Sequence, residues 1–177
     1  SYSLRIPLAF SMQVSIFAGH MKIVFTVIGK TSEPFIREGA QLFIGRLKHY
    51  ISFEYAELPD VKGRGKLSPQ ALKEAESEVF LKFFQPGDAI VLLDEKGKEY
   101  HSRGFAAQIQ KWMNTGPKRL LFVVGGAFGF SERMYATAQS KLSMSKMTTS
   151  HQLIRVVFLE QLYRGMTILN NEPYHND

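Results

Sequence analysis

Cysteine is absent from this sequence, which excludes a disulfide framework, a thiolate nucleophile and any cysteine-based metal site. That usage suits a cytoplasmic protein. Histidine offers no metal site either, because His20, His49, His101, His151 and His175 show no ligand spacing. No apolar run approaches the ~20 residues that a membrane-spanning helix needs. Internal repeats, low-complexity tracts and linkers that would divide the chain are missing, so its 177 residues read as one domain with room for a real core. No Gly-Lys-Ser/Thr follows the glycine-rich turn at Gly125, so it is not a phosphate-binding Walker loop. Its GGxxG spacing, with no acidic residue closing a ribose-binding strand, is not the dinucleotide fingerprint. A hydrolase built on Ser145 or Ser150 with His151 would lack the G-x-S-x-G elbow, and no pattern of paired acids suggests glycoside chemistry.

What is present in excess is positive charge. Lys and Arg number 22 against 16 Asp and Glu, a formal +6 that favours a polyanionic partner over an acidic small molecule. Residues 1–20 are apolar, broken by Pro7, Ser11 and Gln13, and read as an upstream or non-native leader outside the fold. The pattern of an ordered domain begins at Met21 and continues to the end, 21–177.

From there apolar strands alternate with amphipathic helices. Lys22 to Ile28 is a β-branched and aromatic run, followed by a helix from Glu33 to Tyr50. That helix would be capped by Ser32 and would turn Phe35, Ile36, Ala40, Phe43, Ile44 and Leu47 inward. Phe53 to Leu58 alternates as a half-exposed strand does. Ser68-Pro69 opens a helix through Phe84, Asp88 to Leu93 is a buried strand, and Asp94 to Gly97 reads as a turn. Ser102 would cap a helix to Asn114, and Arg119 to Val124 leads into the turn Gly125-Gly126-Ala127-Phe128-Gly129. A short helix, a short strand and a long apolar helix from Gln152 to Leu169 complete the order. This is an α/β protein with a mostly parallel sheet and helices on both faces.

In such a sheet ligands bind outside the carboxyl ends of the strands. Three loops qualify: those after Leu93, after Val124 and after Met144. A fourth loop, Asp60 to Ser68, carries Lys62, Arg64 and Lys66 separated by Gly63 and Gly65. It can lie along phosphates without fixed geometry, or serve only as solvated surface. It stands far along the chain from the glycine turn, and loss of its charge is expected to leave a small-ligand pocket untouched. The last helix is apolar around nearly its whole circumference, so it is either a central core helix or packs on a second copy. Leu159 and Tyr163 are the positions chosen to test the second reading.

The runs FVVGGAFG, LSMSKMTTSHQLIRVVFLEQLYRGMTILNNEPYH and IVLLDEKGKEYHS, in their chain order, resemble the ribosomal RNA large subunit methyltransferase H family of SPOUT-class enzymes. The resemblance covers Met21 to the C-terminus. It implies a C-terminal trefoil knot, a homodimer, and methyl transfer from S-adenosyl-L-methionine to N3 of a pseudouridine in 23S rRNA of the assembled ribosome. Carried over by position, cofactor contacts fall on Leu93, on Gly125 and on Met144, Ser145, Lys146, Met147, Thr148 and Thr149. The family usually has Pro where Ser150 stands, and a basic residue after its Tyr-His pair where this chain has Asn176-Asp177.

The reaction needs in-line alignment and a base for the imide-type N3 proton. His175 is the first candidate for that base, with Tyr174 and Arg155 as further catalytic candidates. Lys62, Arg64, Lys66 and Arg164 are the candidate RNA contacts. Arg155 reads equally as an internal ion-pair partner, and His151 as a capping or carboxylate-paired residue. The alternative to the enzyme is a non-catalytic RNA- or nucleotide-binding α/β protein.

Overall fold

The computed structural model describes residues 21–177, so the leader expected over 1–20 lies outside the described residues. Five strands form one sheet: β1 (Lys22–Ile28), β2 (Ser52–Leu58), β3 (Asp88–Lys98), β4 (Arg119–Val124) and β5 (Ser140–Leu142). Their spatial order is β2-β1-β4-β3-β5, and every pairing is parallel. The intervening helices are α1 (Pro34–Leu47), α2 (Pro69–Phe83), α3 (Ser102–Asn114), α4 (Glu132–Thr137) and α5 (Leu153–Leu169). A single 3-10 turn, Arg64–Lys66, interrupts the β2–α2 connection.

Parallel strands buried on both faces need apolar residues at consecutive positions, and the alternation sorts them into two cores. Ile23, Phe25 and Val27 of β1 with Leu120 and Phe122 of β4 meet Leu47, Ile109, Phe158 and Leu162 from α1, α3 and α5. Val24, Leu92, Leu121 and Val123 meet Phe80 of α2 and Met134 of α4 on the opposite face. The helix α5 packs between α1 and α3, and Phe158 meets Phe25 and Phe122 in tilted contacts at 4.5 and 4.9 Å between ring centroids. Its all-round apolar surface is thus mostly consumed within one copy. Leu159 is fully buried, whereas Leu153 and Val157 are exposed. Leu159 therefore belongs to the core and cannot probe an interface.

Four local expectations are corrected. The stretch Asp94 to Gly97 is not a turn, because β3 continues through it to Lys98. It does so with a register shift against β5 between Leu93 and Lys98, and Ser143 N–H donates to Lys98 C=O at 2.9 Å. Gly97 permits this crossing, since a Cβ there would stand 2.6 Å from the backbone of Leu142. Ser32 does not cap α1. Glu33 holds that position without a side-chain bond, and Ser32 N–H donates instead to Gln152 Oε1 at 3.1 Å. Phe35 then faces outward and is 66% exposed. His101 rather than Ser102 precedes α3, also without a side-chain cap. The Ser68 cap stands as expected, its Oγ accepting from Ala71 N–H at 3.1 Å.

Candidate active site

All five strands point their carboxyl ends to one edge of the sheet, and the main cavity opens there, about 390 Å³ in volume. Three segments build its walls. Leu93, Asp94 and Glu95 come from β3, and Val124, Gly125, Gly126, Ala127, Gly129 and Phe130 from the end of β4 and its turn. Met144, Ser145 and Met147 through His151, with Ile154 of α5, form the third wall. Seven of the eight positions expected to hold a cofactor line this one space. Lys146 does not, and its side chain is exposed.

The glycine turn closes through Gly129 N–H donating to Gly126 C=O at 3.1 Å, with Gly129 at φ +80°. Gly125 lies against Phe130, whose ring would be 3.1 Å from an added Cβ. A branched residue at Gly125 would therefore disturb the turn itself as well as the cavity. The third wall is held by its serines. Ser145 Oγ accepts from Met147 N–H at 3.0 Å, and Ser143 Oγ donates to Ser145 C=O at 3.1 Å. Ser150 Oγ accepts from Leu153 N–H at 3.0 Å, so this residue bonds the first turn of α5 directly.

Charge around the cavity runs opposite to that of the whole protein. Among the described residues no Lys or Arg lines it, and Asp94 and Glu95 do. Asp94 is fixed by the Tyr135 hydroxyl and by Lys96 N–H at 2.8 Å. Burial and that Asp94 contact raise the Tyr135 hydroxyl above its ordinary pKa. Behind the turn, Glu76 of α2 is 4% exposed and rests on Gly126, where any Cβ would overlap its carboxylate. Its Oε1 is one of two buried side-chain polar atoms without a hydrogen-bond partner among the described residues. Burial pushes this carboxyl up to about 6, partly offset by Arg64. His151 is lowered from its usual range by burial and then by the Arg155 charge, which keeps the imidazole neutral at pH 7. Its side chain neither caps α5 nor bonds a carboxylate among the described residues, contrary to the expectation for it.

The remaining candidates fall into two groups. Arg155 is 1% exposed and serves as a bracket between α5 and the end of β1. It donates to the carbonyls of Ile28, Gly29 and His151 at 2.8, 2.9 and 3.1 Å, and to Thr31 Oγ1 at 3.1 Å. With Glu57 a further 3.8 Å away, its donors are occupied and its side chain does not line the cavity. Tyr174 and His175 follow α5 and fold back against its second half. Tyr174 donates to Glu160 and its ring is covered by Arg164 at 4.8 Å. Arg164 can only donate, so His175 Nδ1 accepts from it at 3.1 Å and Nε2 carries the proton toward Asp177. Neither tail residue lines the cavity of its own copy.

The cationic loop is not remote from this site. Arg64 bonds Asp60 at 3.1 Å within its 3-10 turn, and both act on the ionisation of Glu76 and His151. The expected separation between loop and pocket is therefore corrected. The loop leaves the same carboxyl edge as the cavity, and it has a defined turn rather than a geometry-free one. Asp94, Glu95 and Glu76 were not among the residues expected at the site, and His151 was expected only to cap or pair; the turn composition of Asp94-Glu95 hid the first two.

A model described as predicted SPOUT methyltransferase matches residues 21–175. The chain belongs to the SPOUT methyltransferase family. Within that family it is similar to ribosomal RNA large subunit methyltransferase H of Parabacteroides distasonis, 55% identical over 157 residues, 89% of this chain and 100% of the relative. The proteins of the same name from Bacteroides thetaiotaomicron and Phocaeicola vulgatus are 50% and 48% identical over the same shares. Among solved structures, the TrmH/SpoU tRNA modifying enzyme of A. aeolicus aligns with 96% of this SPOUT chain and 91% of its own, at TM-score 0.40 and 11% identity. That likeness is too distant to bear on the site.

Proposed function

We propose that this SPOUT protein transfers a methyl group from S-adenosyl-L-methionine to N3 of a pseudouridine in 23S rRNA of the assembled ribosome, in the cytoplasm. The observation that carries the reading is the convergence of Leu93, Gly125 and the Met144–Thr149 loop, far apart in sequence, on one cavity. About 390 Å³ is the size of a site for a small-molecule cofactor, and Leu93, Met144 and Ile154 supply apolar walls for an adenine. Backbone groups of the glycine turn and of the serine-held loop stand ready to bond the adenosine. When bound, the cofactor supplies an electrophilic methyl group on a sulfonium. The protein contributes position, water exclusion and a place for the N3 proton.

The proton acceptor and the substrate surface come from a second copy in this proposal. Tyr174 and His175 are held on the half of α5 away from their own cavity, so a partner's tail is what brings them to it. The apolar side chains left exposed on neighbouring helices, Phe35 and Leu42 of α1 with Leu153 and Val157 of α5, support a homodimer face. His175 is the candidate base once Arg164 turns from its Nδ1 to substrate, Tyr174 and Arg164 orient that substrate, and Arg155 acts as a positioning residue. Lys62, Arg64 and Lys66 hold phosphates beside the cavity mouth. A C-terminal trefoil knot is what membership of this family leads us to expect.

The test is transfer of a labelled methyl group to intact ribosomes and to naked rRNA. Label on one pseudouridine, with ribosomes preferred, is the expected result. Cofactor binding without transfer to either substrate overturns the enzyme reading in favour of a non-catalytic nucleotide-binding protein.

A further inference from the structure

The protein carries a formal charge of +6, yet among the described residues two carboxylates and no Lys or Arg line its main cavity. A third carboxylate, Glu76, is buried behind the cavity wall with an oxygen that no donor satisfies. An unpaired buried acid costs stability, and nothing in the core compensates this one. Its position suggests what does. It bears on Gly126, whose other side faces the cavity.

We propose that Asp94, Glu95 and Glu76 form an acidic wall that selects the cationic sulfonium cofactor over its neutral thioether product, so that charge both drives loading and ejects the spent molecule. The inference rests on the cofactor reading above and deepens it. S-adenosyl-L-methionine bears one more positive charge than S-adenosylhomocysteine and is otherwise nearly the same shape, so apolar walls and backbone hydrogen bonds cannot separate the two. A fixed negative potential can. The three acids differ in strength. Glu95 is exposed and screened by water, Asp94 is half-buried and held by Tyr135 and Lys96, and Glu76 acts through the thin glycine turn, where no side chain intervenes. Gly126 is thereby given a second reason to lack a side chain.

Charged groups that face Glu76 are Arg64 and Asp60 from the β2–α2 loop, while Arg133 of α4 is taken up by Glu74 and Glu78, two residues to either side of it on α2. Arg64 is already paired with Asp60 and leaves Oε1 of Glu76 without a bond.

The experiment is calorimetric binding of S-adenosyl-L-methionine and of S-adenosylhomocysteine to the full chain, with the ratio of the two dissociation constants as readout. In Glu76→Gln and, separately, Asp94→Asn, the preference for the charged ligand should fall about fivefold each, the size of one unit charge acting across a partly screened site. Affinity for the neutral thioether should hold. Acidifying the unmutated protein through pH 6 should reproduce the loss, and Glu76→Gln should lack that component while keeping whatever His151 contributes. An unchanged ratio in both variants overturns the acidic wall. Failure of the unmutated protein to bind either ligand overturns the cofactor reading itself, which is a distinguishable outcome.

Discussion

Two arginines nine residues apart on α5 are used in opposite ways. Arg155, at the cavity end, spends its donors chiefly on backbone carbonyls of the β1 terminus and of His151 just before the helix, out of contact with water. Arg164, at the tail end, bonds only side chains, Glu160 and His175, and stacks on Tyr174. Backbone partners cannot be exchanged without unfolding, whereas side-chain partners can swing away. The cavity end is therefore complete within one copy. The tail end is assembled from contacts that a second copy or an RNA can replace.

Mutations should sort along that division. Arg155→Ala removes a buried charge bracket and orphans its carbonyl partners. It should destabilise the protein by roughly 3–5 kcal/mol in chemical denaturation, with Arg155→Lys recovering little, because an ammonium cannot reproduce the fork. A loss below about 1 kcal/mol would erase the contrast. Glu76→Gln should act at the same end with the opposite sign. Its carboxyl is raised from an ordinary 4.5 to about 6, so the folded state binds the proton more tightly than the unfolded chain does. The penalty is absent below the unfolded value, grows as pH rises through 4.5 to 6, and is full above it. The variant should gain roughly 2 kcal/mol at pH 7.5 and nothing at pH 4. A gain that does not depend on pH would assign the effect to packing instead.

At the tail end Arg164→Ala should cost about 1 kcal/mol or less in stability while abolishing methyl transfer and sparing cofactor binding. Equal loss of cofactor binding would place the tail at its own cavity. Asp177→Asn removes an exposed pairing with Arg103 and should leave the melting temperature unmoved. For the proposed copy-to-copy face, Val157→Lys should turn the expected dimer mass in light scattering into that of a monomer. Leu159→Lys should instead unfold it, since that residue is fully buried.

The order of strands and helices was legible because each strand is a short apolar run and each helix repeats at its own period. The three cavity loops followed from the parallel sheet, which sends every strand terminus to one edge. What escaped was set by distant neighbours. Asp94 to Gly97 has turn composition, and only the arrival of Leu142 against Gly97 holds it extended. Phe35 matches the inward helical spacing, yet Ser32 bonds Gln152 rather than capping, and the first turn of α1 leaves that ring outside. Glu76 sits among Lys73, Glu74 and Glu78 like any surface acid of a charged helix, and nothing local marks it as buried. The proximity of Arg64 to the cavity could have been read, since the loop after β2 leaves the same edge as the others.

The central place of α5 has a consequence for how the protein is made. Five strands and four helices emerge in order during synthesis, but the face that carries Phe25 and Phe122 stays open until Phe158, Leu159 and Leu162 follow. A chain halted before residue 150 would present a groove of aromatic and aliphatic side chains to any holdase or protease nearby. Completion of the core, closure of the cavity's third wall and delivery of the tail all wait on the same late segment, so the newborn protein can acquire its chemistry only together with its stability.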